Sequence, residues 1–97
     1  MAYEIVLAPE AIEDLERLSA RWRTTIRDAL QAHLRHQPGL ESRSRIKRLR
    51  DFRRPQYRLR VDEIRVFYDI REQTVEVLAI VPKSQAAAWL EQAGEKE

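Results

Sequence analysis

Three arginines placed at alternate positions of a strand hairpin carry most of the chemistry this chain can offer. In YRLRVDEIRV, Arg58 and Arg60 alternate with Tyr57, Leu59 and Val61, and Arg65 alternates with Ile64 and Val66. Side chains of a strand point to opposite faces in turn, so one face is apolar and the other cationic. If Asp62-Glu63 forms a tight loop, pairing joins Val61 to Ile64, Arg60 to Arg65, Leu59 to Val66 and Arg58 to Phe67. Like charges directly opposite destabilise a sheet, so a face of this kind is built to meet an anion. Guanidinium is a planar fork that suits phosphate or carboxylate, and it does not deprotonate in proteins. Such a face stabilises negative charge but does not abstract protons.

The arginines sit within a wider cationic stretch. Residues 43–65 hold ten of the eighteen Lys and Arg side chains against Asp51, Asp62 and Glu63, a local charge of +7 in a chain whose net charge is +2. The remaining residues carry −5, so the net value conceals a strong charge asymmetry that draws polyanions or an acidic protein segment to one side. Arg43, Arg45, Lys47, Arg48, Arg50, Arg53 and Arg54 flank the hairpin and are the expected RNA-binding cations, with salt-sensitive affinity for phosphates, or could equally hold acidic residues of a protein partner.

The elements that position these residues follow from periodicity. Tyr3 to Leu7 predicts a first strand, and Pro9 suits the first turn of a helix whose stripe is Ile12, Leu15 and Leu18, with acidic residues at its start. Ser19 can cap a second helix carrying Trp22, Ile26, Ala29, Leu30, His33 and Leu34, ended by Pro38-Gly39. Ile46 to Arg50 adds a short extended piece, followed by a loop around Arg53-Arg54-Pro55. After the hairpin, Val75, Val77, Ala79 and Val81 alternate with Glu76, Leu78 and Ile80, which predicts a third strand of a meander. A turn over residues 71–74 sets Ile70 opposite Val75, Tyr68 opposite Val77 and Val66 opposite Ala79. Ser84 can cap a last helix over residues 85–92, with Trp89 and Leu90 available to pack, and the tail AGEKE is expected to fray.

The expected fold is α+β, in the order β-α-α-β-β-β-α, with a helical hairpin packed on one face of a small, mostly antiparallel sheet. Residues 1–93 form one domain and residues 94–97 a frayed tail. Ile12, Leu15, Leu18, Ile26 and Leu30 seat on the apolar face, which leaves the arginine face to solvent or a ligand. Tyr57 and Tyr68 belong by alternation to the core, as does Trp22. Trp89 either packs the last helix or stacks on a base.

Composition narrows the functions. The chain is 97 residues long, enough for one modest core, and 43% hydrophobic with only two Gly and four Pro. It has no cysteine and only two histidines, so disulfides, thiolate chemistry and a zinc site are not expected, nor is any cofactor. His33 fits the apolar stripe of its helix and reads as a packed or surface histidine. No basic leader and no run of roughly 20 apolar residues is present, so the expectation is a cytoplasmic protein with no membrane partner.

The element order, the opening AYEIVLAPEAIEDLERL, the RLRDF segment, the central YRLRVDEIRVFYDI and the closing VEVLAIVPK together resemble the RelE/ParE superfamily of bacterial type II toxin-antitoxin toxins, in its RelE-like or plasmid-stabilisation branch. The resemblance spans nearly the whole chain. It implies a ribosome-dependent endoribonuclease that cuts messenger RNA in the decoding site and is silenced by a small antitoxin with an acidic segment. Its partners are then the cognate antitoxin, the ribosome and mRNA. The chemistry implied is attack of a ribose 2′-hydroxyl on the adjacent phosphate, which needs a base, charge stabilisation and an acid. By the same resemblance Arg58 and Arg60 are the alternating cations of the site, Arg65 its phosphate-stabilising arginine, and Lys83 a further basic group. The chain departs from the pattern in having Lys83-Ser84-Gln85 where a run of cations is usual and Trp89-Leu90 where some RelE members carry a tyrosine. The base is therefore Lys83, Lys47, Asp69, Glu76 or a ribosomal group, unless Asp69 and Glu76 serve only in ion pairs. The alternative is a ParE-like toxin that binds a protein such as gyrase, or a member that binds its antitoxin without cutting RNA.

Overall fold

The computed structural model describes residues 2–97. A five-stranded sheet runs in the order β1-β6-β5-β4-β2, built from β1 (Glu4–Leu7), β2 (Ile46–Arg48), β4 (Tyr57–Val61), β5 (Ile64–Arg71) and β6 (Thr74–Pro82). Only β1 and β6 run parallel; the other pairs are antiparallel. A second, two-stranded sheet joins β3 (Phe52–Arg54) to β7 (Glu95–Lys96).

Two helices cover one face. In α1 (Pro9–Glu16) proline occupies the first turn, where its missing N–H is not needed, and in α2 (Ala20–Leu34) the Ser19 hydroxyl accepts from the Trp22 N–H at 3.3 Å. Ala11, Leu15, Ile26, Leu30 and Leu34 pack on Leu59, Val66, Tyr68, Val75, Val77 and Ile80 to form the main core. Ile12 does not take the expected place in it. It is 46% exposed, because the turn of α1 that meets the sheet presents Ala11, whose small side chain lets helix and strand approach closely. Tyr68 is fully buried, stacks on Tyr57 at 5.5 Å between ring centres, and donates its hydroxyl to Pro38 O at 2.6 Å. Both tyrosines are thus structural, and burial pushes the Tyr68 phenol well above its ordinary pKa.

The hairpin register is as the alternation requires, with Arg60 opposite Arg65 and Arg58 opposite Phe67. The two-residue loop is made by Asp62 at a φ of 50°, a left-handed conformation that Asp tolerates better than most side chains.

The next pair departs from the simple pattern. Ile70 faces Val75 and Tyr68 faces Val77, but a bulge then shifts the ladder, so that Phe67 faces Ala79 and Val66 faces Ile80, not Ala79. One extra residue on β6, Leu78, reverses the parity of the strand beyond it. Ile80 therefore joins the main core, while Ala79 and Val81 turn to the other face. The Ile80 N–H donates to Asp14 Oδ2 of α1 at 2.9 Å.

That second face has its own cover. Phe67, Ala79 and Val81 form a small cluster under Leu49, Ala86, Trp89 and Leu90. The covering helix α3 (Ala86–Ala93) follows one turn of 3-10 helix at Lys83–Gln85, and its N-cap residue is Gln85 without a side-chain bond. The expected Ser84 cap is not made, since Ser84 lies inside the 3-10 turn. At the C-terminal end Glu95 and Lys96 pair with β3, and the Glu97 N–H donates to Asp51 O at 3.2 Å. Residues 53 and 54 are accordingly strand, not loop.

Candidate functional site

The second face is divided into three zones along the strands. At one end lie Asp69 and Glu76, paired across β5 and β6. Arg54 reaches both, at 3.4 Å to Asp69 Oδ2 and 3.2 Å to Glu76 Oε1. The Gln56 N–H also donates to Asp69 Oδ1 at 2.7 Å. Asp69 is only 6% exposed, and this burial raises its pKa despite the Gln56 and Arg54 contacts that pull the other way. Both carboxylates thus share Arg54, and Asp69 lies two positions along β5 from Phe67, the partner of Arg58. The middle zone is the apolar cluster beneath α3. Trp89 stacks on Phe67 at 4.9 Å and 11° between ring planes, so its indole face is used within the protein.

The third zone holds the cations. Cross-strand register puts Lys47 opposite Arg58 and Arg60 opposite Arg65, so these four share one face on three neighbouring strands. Among the described residues, none of the four takes part in an ion pair within 4.0 Å, whereas Arg17, Arg50 and Arg54 do. Desolvation first, then the charges of Arg65 and Arg60, lower the pKa of Arg58, and its Nε is buried with no hydrogen-bond partner. Burial and then Arg60 lower that of Arg65, with Glu63 opposing. Arg58 feels both of the others and Arg65 feels Arg60, so the three form one cationic cluster.

Their accessibility differs from the expectation of an open face. Arg60 and Lys47 are exposed and Arg58 is half-buried, but Arg65 is only 6% exposed and its Nη1 donates to Asp62 O at 2.7 Å and Ile64 O at 3.1 Å. Arg65 therefore braces the hairpin loop. The face is bare of α1 and α2, as the alternation predicts, but α3 covers its centre. Lys83 is exposed at the same end, where its N–H donates to Glu63 O at 2.7 Å.

The flanking cations separate into two sets. Arg50 binds Glu41 through both carboxylate oxygens, at 3.2 and 2.9 Å, and Arg48 donates to Gln56 O at 2.8 Å while lying 5.2 Å from the Tyr57 ring centre. With Arg54, these are engaged inside the protein. Arg43, Arg45, Lys47 and Arg53 are exposed and make no side-chain ion pair among the described residues. Sequence reasoning did not find the Arg54 network, because its partners lie 15 and 22 positions away. No group of three or more metal-ligating side chains exists among the described residues.

A helical pair on one side of a mostly antiparallel sheet, with a short C-terminal helix on the other and basic residues at one end, defines a small RelE-like α+β fold. Three solved structures share it. The RelB-RelE antitoxin-toxin complex from Methanococcus jannaschii has a chain 16% identical, with a TM-score of 0.63 over 87% of this chain and 96% of that one. The YoeB dimer from Staphylococcus aureus is 19% identical, with a TM-score of 0.62 over 81% and 94%. The archaeal RelE-RelB complex from Pyrococcus horikoshii OT3 is 19% identical, with a TM-score of 0.56 over 88% and 99%. No curated protein matches the chain. The model of the ParE toxin family, of the type II toxin-antitoxin system parDE, matches residues 5–87. The chain belongs to that family, and so to the RelE/ParE superfamily of toxins.

Proposed function

We propose that this toxin acts on RNA, with Arg58, Arg60 and Lys47 as the phosphate-binding surface and Arg65 holding the loop that presents them. The observation that carries the reading is the cluster of four cations on one sheet face without a carboxylate ion pair among the described residues. A folded protein gains nothing from such a cluster unless an anion completes it. The reaction supported is attack of a ribose 2′-hydroxyl on its neighbouring phosphate in messenger RNA on the ribosome. The arginines would hold the charge that develops on phosphorus, Lys47 within the cluster or Lys83 beside the hairpin loop would exchange a proton, and a ribosomal group supplies what the chain lacks. Arg43, Arg45 and Arg53 extend the cationic track. Action on the ribosome puts the protein in the cytoplasm, and silence in the cell requires an antitoxin whose acidic segment covers the same cations.

The test is cleavage of message on programmed ribosomes. Wild type should produce cuts in the decoding site, and Arg60→Ala, which removes an exposed side chain with no internal partner, should slow them by about 10²- to 10³-fold. Intact message with wild-type protein would refute the ribonuclease reading.

A second reading is favoured by the family match: a ParE-like toxin that inhibits a protein such as gyrase. It also needs no general base. Loss of DNA supercoiling activity in the presence of the toxin, with ribosome-bound message left whole, would select it.

A further inference from the structure

A polar hollow lies between the end of α2 and residues 40–46. It has a volume of about 370 Å³ and is lined by His33, His36, Leu40, Ser42, Ser44 and Arg45 among others, with no carboxylate in its wall. That size is at the lower end for small-ligand sites. We propose that this hollow binds a phosphate ester; it stands on its own lining and shares only Arg45 with the cationic track assigned to RNA.

Three features support an anionic occupant. First, the carboxylate nearest in sequence, Glu41, is held by the Arg50 guanidinium and by the Arg48 N–H at 2.9 Å, so the charge that could neutralise Arg45 is committed elsewhere. Second, the Ser42 Oγ accepts the N–H groups of both Arg45 and Ile46 at 3.1 Å. A hydroxyl has two acceptor sites and one hydrogen, so Ser42 is left as a donor. Third, His33 lies in the last turn of α2, where the carbonyl ends favour a protonated imidazole, while partial burial and the charge of Arg45 oppose it. His36 and Arg45 are the charged or titratable groups that line the hollow with it. An anion there offsets the charge of Arg45 that opposes a protonated His33, and the ring N–H groups can donate to it. Leu40, 59% exposed, supplies an apolar wall suited to a sugar or base.

The phosphate could belong to a free nucleotide or to an RNA strand, and the test separates them. Inorganic sulfate, whose charge is constant over this range, is titrated into the protein at fixed ionic strength at about pH 6 and about pH 8, with the imidazole NMR signals of His33 and His36 as readout. Both signals should shift saturably, with binding roughly tenfold tighter at the lower pH. The exposed His36→Gln should reduce that pH ratio, and Ser44→Ala should weaken binding several-fold, with unfolding midpoints unchanged. A nucleoside 5′-monophosphate that competes with sulfate at lower concentration identifies a nucleotide site. A short single-stranded RNA that competes better than the mononucleotide identifies a strand contact. If chloride moves the histidine signals equally, or if His36→Gln and Ser44→Ala bind sulfate as wild type does, the proposal is wrong.

Discussion

Replacing Arg58 by methionine should make the protein more stable and its surface less able to hold phosphate. Arg58 faces Lys47 directly across the ladder, feels the charges of Arg60 and Arg65, and keeps a buried Nε without a partner. A like-charge cross-strand pair costs a few tenths to about 1 kcal/mol, and a buried unsatisfied donor about 1 to 3 kcal/mol. Methionine retains the packing of the aliphatic stem, so Arg58→Met should gain roughly 1 to 2 kcal/mol after partial relaxation, a rise in Tm of about 5 to 10 °C. Urea unfolding at low and high salt measures it. Added salt should stabilise the wild type more than the variant, because only the former has repulsion to screen. A variant less stable than wild type, or an identical salt response, would refute the reasoning by showing that Arg58 is compensated within the protein. The gain should come with lost toxicity, as expected where binding groups are held at a stability cost.

Other perturbations test the parts around this cluster. Trp89→Ala removes the stack on Phe67, and since Trp89 is only partly buried it should cost about 2 kcal/mol and release hydrogen-exchange protection over Ala86–Ala93 before the rest of the chain. Gly94→Ala would set its Cβ 2.5 Å from Leu90 O and 2.7 Å from Phe52 Cε1, so it should unseat β7 at a cost of about 1 to 3 kcal/mol, read by unfolding and by exchange at Glu95 and Lys96. Glu41 has its pKa lowered to about 2 by the Arg50 and Arg48 hydrogen bonds. Its contribution is present above the ordinary glutamate range and lost as the pH falls toward about 2, so Glu41→Gln should flatten that part of the acid-unfolding curve.

Alternation and turn spacing made the hairpin legible to the residue, since one buried face forbids a slip that would send arginines inward. The helical pair was legible for the same reason, with 3.6-residue stripes ending at Ser19 and Pro38. What escaped was non-local. The bulge at Leu78 leaves no mark in a strand whose residues are apolar on both faces, so simple alternation puts Ala79, Ile80 and Val81 on the wrong sides. The tail looked unstructured because two residues of strand carry no periodic signal, and its partner β3 lies over 40 positions earlier. For the site, composition and alternation were enough to bring Arg58, Arg60 and Arg65 together. They could not reveal that Arg65 is turned onto the backbone of its own loop, or that Arg48, Arg50 and Arg54 are occupied.

The parallel pairing of β1 with β6 has a consequence for synthesis. Glu4 to Leu7 have no partner until residues 74–77 have been made, and the strand they wait for is the longest in the sheet. A chain emerging amino end first can therefore form its helices early but cannot close its sheet until about three quarters of it exists. The strands that carry the four cations, β2, β4 and β5, are by contrast synthesised before the strand that completes the sheet.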